Sequence, residues 1–135
     1  MAKQAKVTGH CECGAIRFTV TGPLRDVIDC HCGQCRRFHG HVAAYTNAAR
    51  ADLNFAEERG LRWYRSSSSA QRGFCGDCGS SLFWLRDGAA DISIAAGCLD
   101  APTGLHTVSH IFVAHRGDYY EITDGLKQYE NGSAS

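Results

Sequence analysis

Three short cysteine motifs carry the reactive chemistry of this sequence: Cys11-Glu12-Cys13, Cys30-His31-Cys32-Gly33-Gln34-Cys35 and Cys75-Gly76-Asp77-Cys78. Thiolates bunched this closely are short-range chelates, whereas disulfide frameworks usually spread their cysteines out. Zinc held by four thiolates has Zn–S distances of about 2.3 Å, which sets neighbouring sulfurs roughly 3.8 Å apart. Side chains two positions apart on an extended backbone share a face, so Cys11 and Cys13 can take one ion together. Cys75 and Cys78 straddle a turn in which Gly76 and Gly79 permit angles that bulkier residues resist. Each pair is half a tetrahedron. Cys11, Cys13, Cys75 and Cys78 therefore predict one closed, structural zinc site, although spacing alone leaves open which pair meets which.

The middle motif brings three thiols within six positions and so leaves a fourth position on its metal unfilled. Three protein ligands with a vacancy is the general form of a catalytic zinc site, where the ion polarises a guest atom. A thiol entering that position loses its proton, giving a nucleophile at neutral pH from a group whose free pKa is about 8.5. The alternative is a second closed site, completed by Cys98 or by one of His31, His39, His41 and His110.

Short strands must position these motifs. From Ala15 to Thr21, Ile16, Phe18 and Val20 alternate with Arg17 and Thr19, the period of a half-buried strand. Leu24–Ile28, Val42–Thr46, Asp52–Phe55, Leu61–Tyr64, Ser81–Leu85, Asp91–Ala95 and Tyr119–Ile122 are further candidates, rich in β-branched or aromatic residues. One or two helical turns are expected around Gly33–Phe38. Gly22-Pro23, Asp87-Gly88 and Asp124-Gly125 read as turns, and Ser66–Ser69 as an exposed loop. Trp63, Trp84, Phe74 and Phe83 are expected in the core, some of them lining a pocket between sheets.

The 135 residues predict a single mainly β domain over 1–135, with its core at about 6–130 and a frayed tail at 131–135. Lysine plus arginine and aspartate plus glutamate number 14 each, so no net positive field collects nucleic acid. No apolar stretch approaches the roughly 20 residues that a bilayer requires, which argues against membrane insertion. Met1–Thr8 lacks the apolar core of a signal peptide, and a cytoplasmic location is expected.

Taken in order, Gly9-His10-Cys11-Glu12-Cys13-Gly14-Ala15, Cys30 to Arg36 and Phe74-Cys75-Gly76-Asp77-Cys78-Gly79-Ser80 resemble the glutathione-dependent formaldehyde-activating enzyme family, which includes centromere protein V. Gly97 with Leu99-Asp100, His110-Ile111-Phe112-Val113 and the aromatic-rich Tyr119–Tyr129 segment extend the resemblance. It implies a zinc β-tent of short antiparallel sheets. It further implies two Zn2+ per chain, a structural one on Cys11, Cys13, Cys75 and Cys78 and a catalytic one on Cys30, Cys32 and Cys35. The implied activity is a carbon–sulfur lyase or synthase that interconverts S-hydroxymethylglutathione with glutathione and formaldehyde, the glutathione thiol filling the vacancy. Arg36 and Arg37 stand where a peptide carboxylate would be gripped, unless they are solvated surface arginines. Cys98 departs from the small residue more usual in the family before Leu99-Asp100. Two rival readings are a zinc-stabilised protein-binding module and a redox sensor in which Cys30, Cys32 and Cys35 release metal on oxidation.

Overall fold

Alternating apolar and polar side chains resolve into eleven short strands and one helix among residues 6–132, the part of the chain described by this computed structural model. Strands β1 (Val7–His10), β2 (Arg17–Val20) and β5 (Leu53–Glu57) form a three-stranded sheet in the order β1-β2-β5. The other eight are β3 (Val27–Cys30), β4 (Ala43–Ala49), β6 (Leu61–Arg65), β7 (Ala70–Cys75), β8 (Ser81–Arg86), β9 (Asp91–Ala95), β10 (Thr107–Ile111) and β11 (Lys127–Gln128). They make one sheet ordered β11-β10-β3-β4-β9-β8-β7-β6. Pairing is antiparallel except at β10, which runs parallel to β3 and to β11. The protein is thus a mainly β structure of the β-tent kind, with cysteine clusters near strand ends that could bind metal.

Period-two alternation gives the large sheet two different faces. Ala48, Phe83, Leu85, Ile92 and Ile94 point one way and join Ile16, Phe18 and Val20 of the small sheet in a buried core. Phe18 packs on Phe83 with ring centroids 5.5 Å apart, and Phe55 meets Phe83 edge-on at 5.8 Å. Each such buried side chain contributes about 1.5–3 kcal/mol. Tyr45, Asn47, Trp84, Arg86, Asp91 and Ser93 point the other way and floor a cavity of about 530 Å³. Register sets the floor in rows, because Asn47 pairs with Ser93, Ser93 with Trp84, and Trp84 with Arg72.

The helix, α1, spans Gly33–His39, close to the span expected. Cys32 is its N-cap, its sulfur accepting the Cys35 backbone N–H, and Gly40 ends it in the left-handed conformation. Tyr119–Ile122, in contrast, is not a strand. Its backbone lies outside the ladders because its aromatic side chains are used sideways: the Tyr119 hydroxyl bonds His41 and the Tyr120 hydroxyl bonds His31. The strand expected from Leu24 begins only at Val27, and β1, β7, β10 and β11 lie outside the expected strands. In β7 the buried residues include Arg72 and Gly73, which hide an apolar alternation. Of the expected core aromatics only Phe83 is fully buried, while Trp84 faces the cavity and Trp63 is 38 % exposed.

The C-terminal segment is tied down through Asn131, whose carbonyl accepts the Phe112 N–H at 2.7 Å. The rest of the expected frayed tail, 133–135, and the first five residues lie outside the described residues. Among the described residues no helix is long and apolar enough to cross a membrane.

Candidate metal centres

Cys11, Cys13, Cys75 and Cys78 come together with all four sulfurs within 4.8 Å of one another. Cys13 Sγ stands 3.8 Å from both Cys11 Sγ and Cys75 Sγ, the sulfur–sulfur spacing of a tetrahedral thiolate site. Two similar knuckles build it. In each, a glycine after the second cysteine, Gly14 or Gly79, adopts φ of +85°. Its N–H turns back to the carbonyl of the first cysteine, Cys11 or Cys75. Backbone N–H groups also point at sulfur, from Ile16 to Cys11 at 3.3 Å and from Cys78 to Cys75 at 3.5 Å. The Ser80 hydroxyl, 3.2 Å from Cys78 Sγ, draws that thiol down to about 6. Four soft donors in this geometry, with N–H and O–H groups directed at the sulfurs, fit a structural zinc.

Cys30, Cys32 and Cys35 form a second group, also within 4.8 Å of one another. Among the described residues no fourth Cys, His, Asp or Glu joins them. Cys30 ends β3, Cys32 caps α1 and Cys35 lies one helical turn on, so a strand-to-helix junction alone assembles the trio. Hydrogen bonds from Cys30 and Cys35 hold the Cys32 thiol far down, whereas sharing with Cys32 and Cys35 pushes Cys30 far up. The cluster thus holds one thiolate, on Cys32, shared with two thiols, and its three soft donors fit a divalent cation.

Arg72 meets the trio from the sheet. Its side chain is 6 % exposed, its Nη2 lies 3.5 Å from Cys35 Sγ, and its Nη1 donates to the Tyr45 hydroxyl at 3.1 Å. Gln34 Oε1 accepts from both Nε and Nη2, and the guanidinium carbon sits 4.6 Å above the Phe38 ring. Tyr45, its hydroxyl pushed up by burial, also pairs with His39 Nε2 at 3.0 Å. All three sulfurs line the cavity, together with Arg72 and Tyr45.

A protein-family model described as glutathione-dependent formaldehyde-activating enzyme matches residues 6–115. The chain belongs to that family. A crystal structure of a Rhodobacter sphaeroides protein is similar to this formaldehyde-activating-type chain, with a TM-score of 0.59 at 22 % identity. The likeness covers 90 % of this chain and 98 % of the other, and it bears on the fold alone.

In this family member Cys98 joins neither sulfur group. It ends a single 3-10 turn, donates its S–H to the Ala95 carbonyl at 3.0 Å and is pushed up to about 12 by burial. The histidines weighed as closing ligands are engaged elsewhere. His39 holds Tyr45 and His41 holds Tyr119, while His31 and His110 belong to a buried chain. The Asp124 carboxylate accepts from His110 Nε2 at 2.8 Å, so His110 Nδ1 is left to accept from His31 Nε2 at 2.9 Å. His31 Nδ1 then accepts the Tyr120 O–H. Burial, then the neighbouring His110, pushes His31 down to about 4 and keeps that ring neutral. This chain fastens the Cys30–Cys32 segment to the C-terminal part of the molecule.

Arg36 and Arg37 are absent from the cavity lining, which takes its guanidinium groups from Arg25, Arg72 and Arg86. None of these three stands beside a cysteine motif in sequence, and only sheet register brings them to the site. Gly60 is a further residue the motifs did not mark. A Cβ there would lie 2.9 Å from Cys75 Sγ and 2.8 Å from the Ala15 side chain. Gly60→Ala is expected to destabilise the zinc-loaded protein by about 1–3 kcal/mol through overpacking, read as a lower urea midpoint at unchanged m.

Proposed function

We propose that the trio and its cavity are the active site of a carbon–sulfur lyase or synthase acting on a thiol–aldehyde adduct. S-hydroxymethylglutathione, formed from glutathione and formaldehyde, is the adduct that the family description favours. The observation that carries this reading is three clustered sulfurs opening on a cavity, with a buried guanidinium beside them and no fourth protein ligand among the described residues. Cys30, Cys32 and Cys35 would hold one zinc and Cys11, Cys13, Cys75 and Cys78 the other, two per chain. A zinc held by Cys30, Cys32 and Cys35 would supply a Lewis-acid position that lowers the pKa of a guest thiol.

The reaction makes one carbon–sulfur bond and moves the thiol proton to the carbonyl oxygen; the lyase direction reverses both. Arg72 offsets the negative charge that gathers among the sulfurs and keeps Cys35 oriented. The Tyr45 hydroxyl, held between Arg72 and His39, is the group through which a proton can be given or taken inside the cavity. The walls from Trp84, Ile111 and Phe112 exclude water from the adduct. An enzyme of this kind meets its thiol substrate in a reducing compartment, in keeping with a cytoplasmic location.

The test is exchange spectroscopy with 13C-formaldehyde and glutathione, with and without the zinc-loaded protein. Acceleration of the interconversion is expected, falling at least a hundredfold in Cys32→Ser while the circular dichroism spectrum is kept. Exchange that proceeds at the same rate with and without protein overturns the proposal.

A further inference from the structure

The mechanism uses the end of the cavity where the sulfurs lie, and the opposite end carries charges that it does not employ. Arg86 and Asp91 both line the cavity, each two residues beyond the floor row formed by Trp84 and Ser93. At about 3.3 Å per strand residue they stand roughly 7 Å past that row, which also contains Arg72. The ion pairs among the described residues join other groups, so neither Arg86 nor Asp91 is held in a direct ion pair, and the Asp91 carboxylate acts on Arg25 only through its charge. Arg25 also lines the cavity, fixed by hydrogen bonds from Nη2 to the Tyr45 carbonyl at 2.9 Å and from Nε to the Asp26 carbonyl at 3.1 Å.

Arg72 is committed to the trio, Gln34 and Tyr45, so the ionic groups left in the lining are two guanidinium groups, from Arg25 and Arg86, and the Asp91 carboxylate. Glutathione carries the complementary set, two carboxylates and one ammonium. Its γ-linkage also places one carboxylate and the ammonium on the same carbon, several bonds from the sulfur. Adjacent, unpaired charges of opposite sign at one end of a cavity are the arrangement that reads such a terminus.

We infer that Arg86 and Asp91 form a zwitterion subsite that binds the α-carboxylate and α-ammonium of the γ-glutamyl end of a peptide thiol whose sulfur lies at the trio. The inference rests on the proposed function and deepens it, since it names the feature by which the site tells glutathione from simpler thiols. Arg25 is left for the second carboxylate. The subsite makes the cavity specific for a γ-linked amino-acid terminus, and a thiol without one loses both contacts.

Calorimetric titration of the zinc-loaded protein with glutathione and with glutaryl-cysteinylglycine, the same peptide lacking only its α-amino group, tests the subsite without reference to turnover. Wild-type protein is expected to prefer glutathione about two- to fivefold, the scale of an exposed ion pair. Asp91→Asn is expected to abolish that preference by weakening glutathione alone. Arg86→Gln is expected to weaken both peptides about equally, since both keep the carboxylate. Both side chains are exposed, so melting temperatures serve as a control that the variants remain folded. An unchanged preference in Asp91→Asn, or equal affinity of the two peptides for wild-type protein, overturns the subsite. The exchange assay judges the activity independently: discrimination without acceleration sinks the catalytic reading and keeps the subsite, and acceleration without discrimination does the reverse.

Discussion

Cys75→Ser is expected to give a chain that no longer folds at 25 °C without added zinc and that binds at most one ion. Cys75 is fully buried at the end of β7, and its sulfur lies 3.8 Å from Cys13 Sγ across 62 residues of sequence. Closing a loop of that length carries an entropic cost that the metal-free chain must meet from packing alone. The apolar core between the two sheets is small, and domains of this size have roughly 5–15 kcal/mol of total stability. Structural zinc contributes about 10–16 kcal/mol in the smallest zinc-binding peptides, so losing one thiolate removes a share comparable with the whole. Far-ultraviolet circular dichroism and metal analysis on the same sample check this. Cys32→Ser is the control, because its trio is assembled by a local strand-to-helix junction and crosses no long loop. That variant is expected to keep its spectrum and one ion. Equal folding of the two variants would contradict the division into a structural and a working site.

The two sulfur groups were legible because chelation is a short-range constraint written directly into spacing. Cys11 with Cys13, Cys75 with Cys78 and the trio each assemble within a few residues, and the helix after Cys32 follows from the same geometry. Alternation from Ile16 to Val20 likewise reveals its strand, since one face is buried and the other is not. What stayed hidden depends on register between strands distant in sequence. Arg72 sits in β7 with the appearance of an ordinary exposed arginine until pairing with β8 puts it on the cavity floor opposite Trp84. Arg36 and Arg37 drew attention by standing next to Cys35, yet a helix turns successive residues to different sides and neither lines the cavity. Tyr119–Ile122 has β-type composition, but its side chains serve histidines rather than a ladder. Composition cannot separate those two uses of an aromatic run.

Arg72→Lys keeps the formal charge and is nevertheless expected to disable the second metal site. Three thiolates around a dication would leave one negative charge in a buried place, and the 6 %-exposed Arg72 is the cation placed to offset it. The guanidinium does this while satisfying Gln34 Oε1 at 3.1 and 3.0 Å, the Tyr45 hydroxyl at 3.1 Å and Cys35 Sγ at 3.5 Å, with Phe38 beneath it. A lysine ammonium has three donors on a flexible stem and no planar face, so it cannot grip Gln34, reach Tyr45 and sulfur, and stack at once. Loss of these contacts is expected to cost about 2–3 kcal/mol of stability and to weaken zinc binding at the trio roughly 10- to 100-fold. Chelator competition separates the two ions: the four-cysteine site is expected to hold its metal as in the wild type, and the trio to release its own at lower chelator concentration. Arg72→Met, similar in length but neutral, isolates the charge. If Met is worse than Lys in chelator competition, the buried positive charge is what keeps the trio loaded; if the two are alike, the fork of hydrogen bonds matters more. Unchanged zinc retention in both variants would mean that Arg72 merely fills the floor, and the account of how this sheet supports its metal would fail.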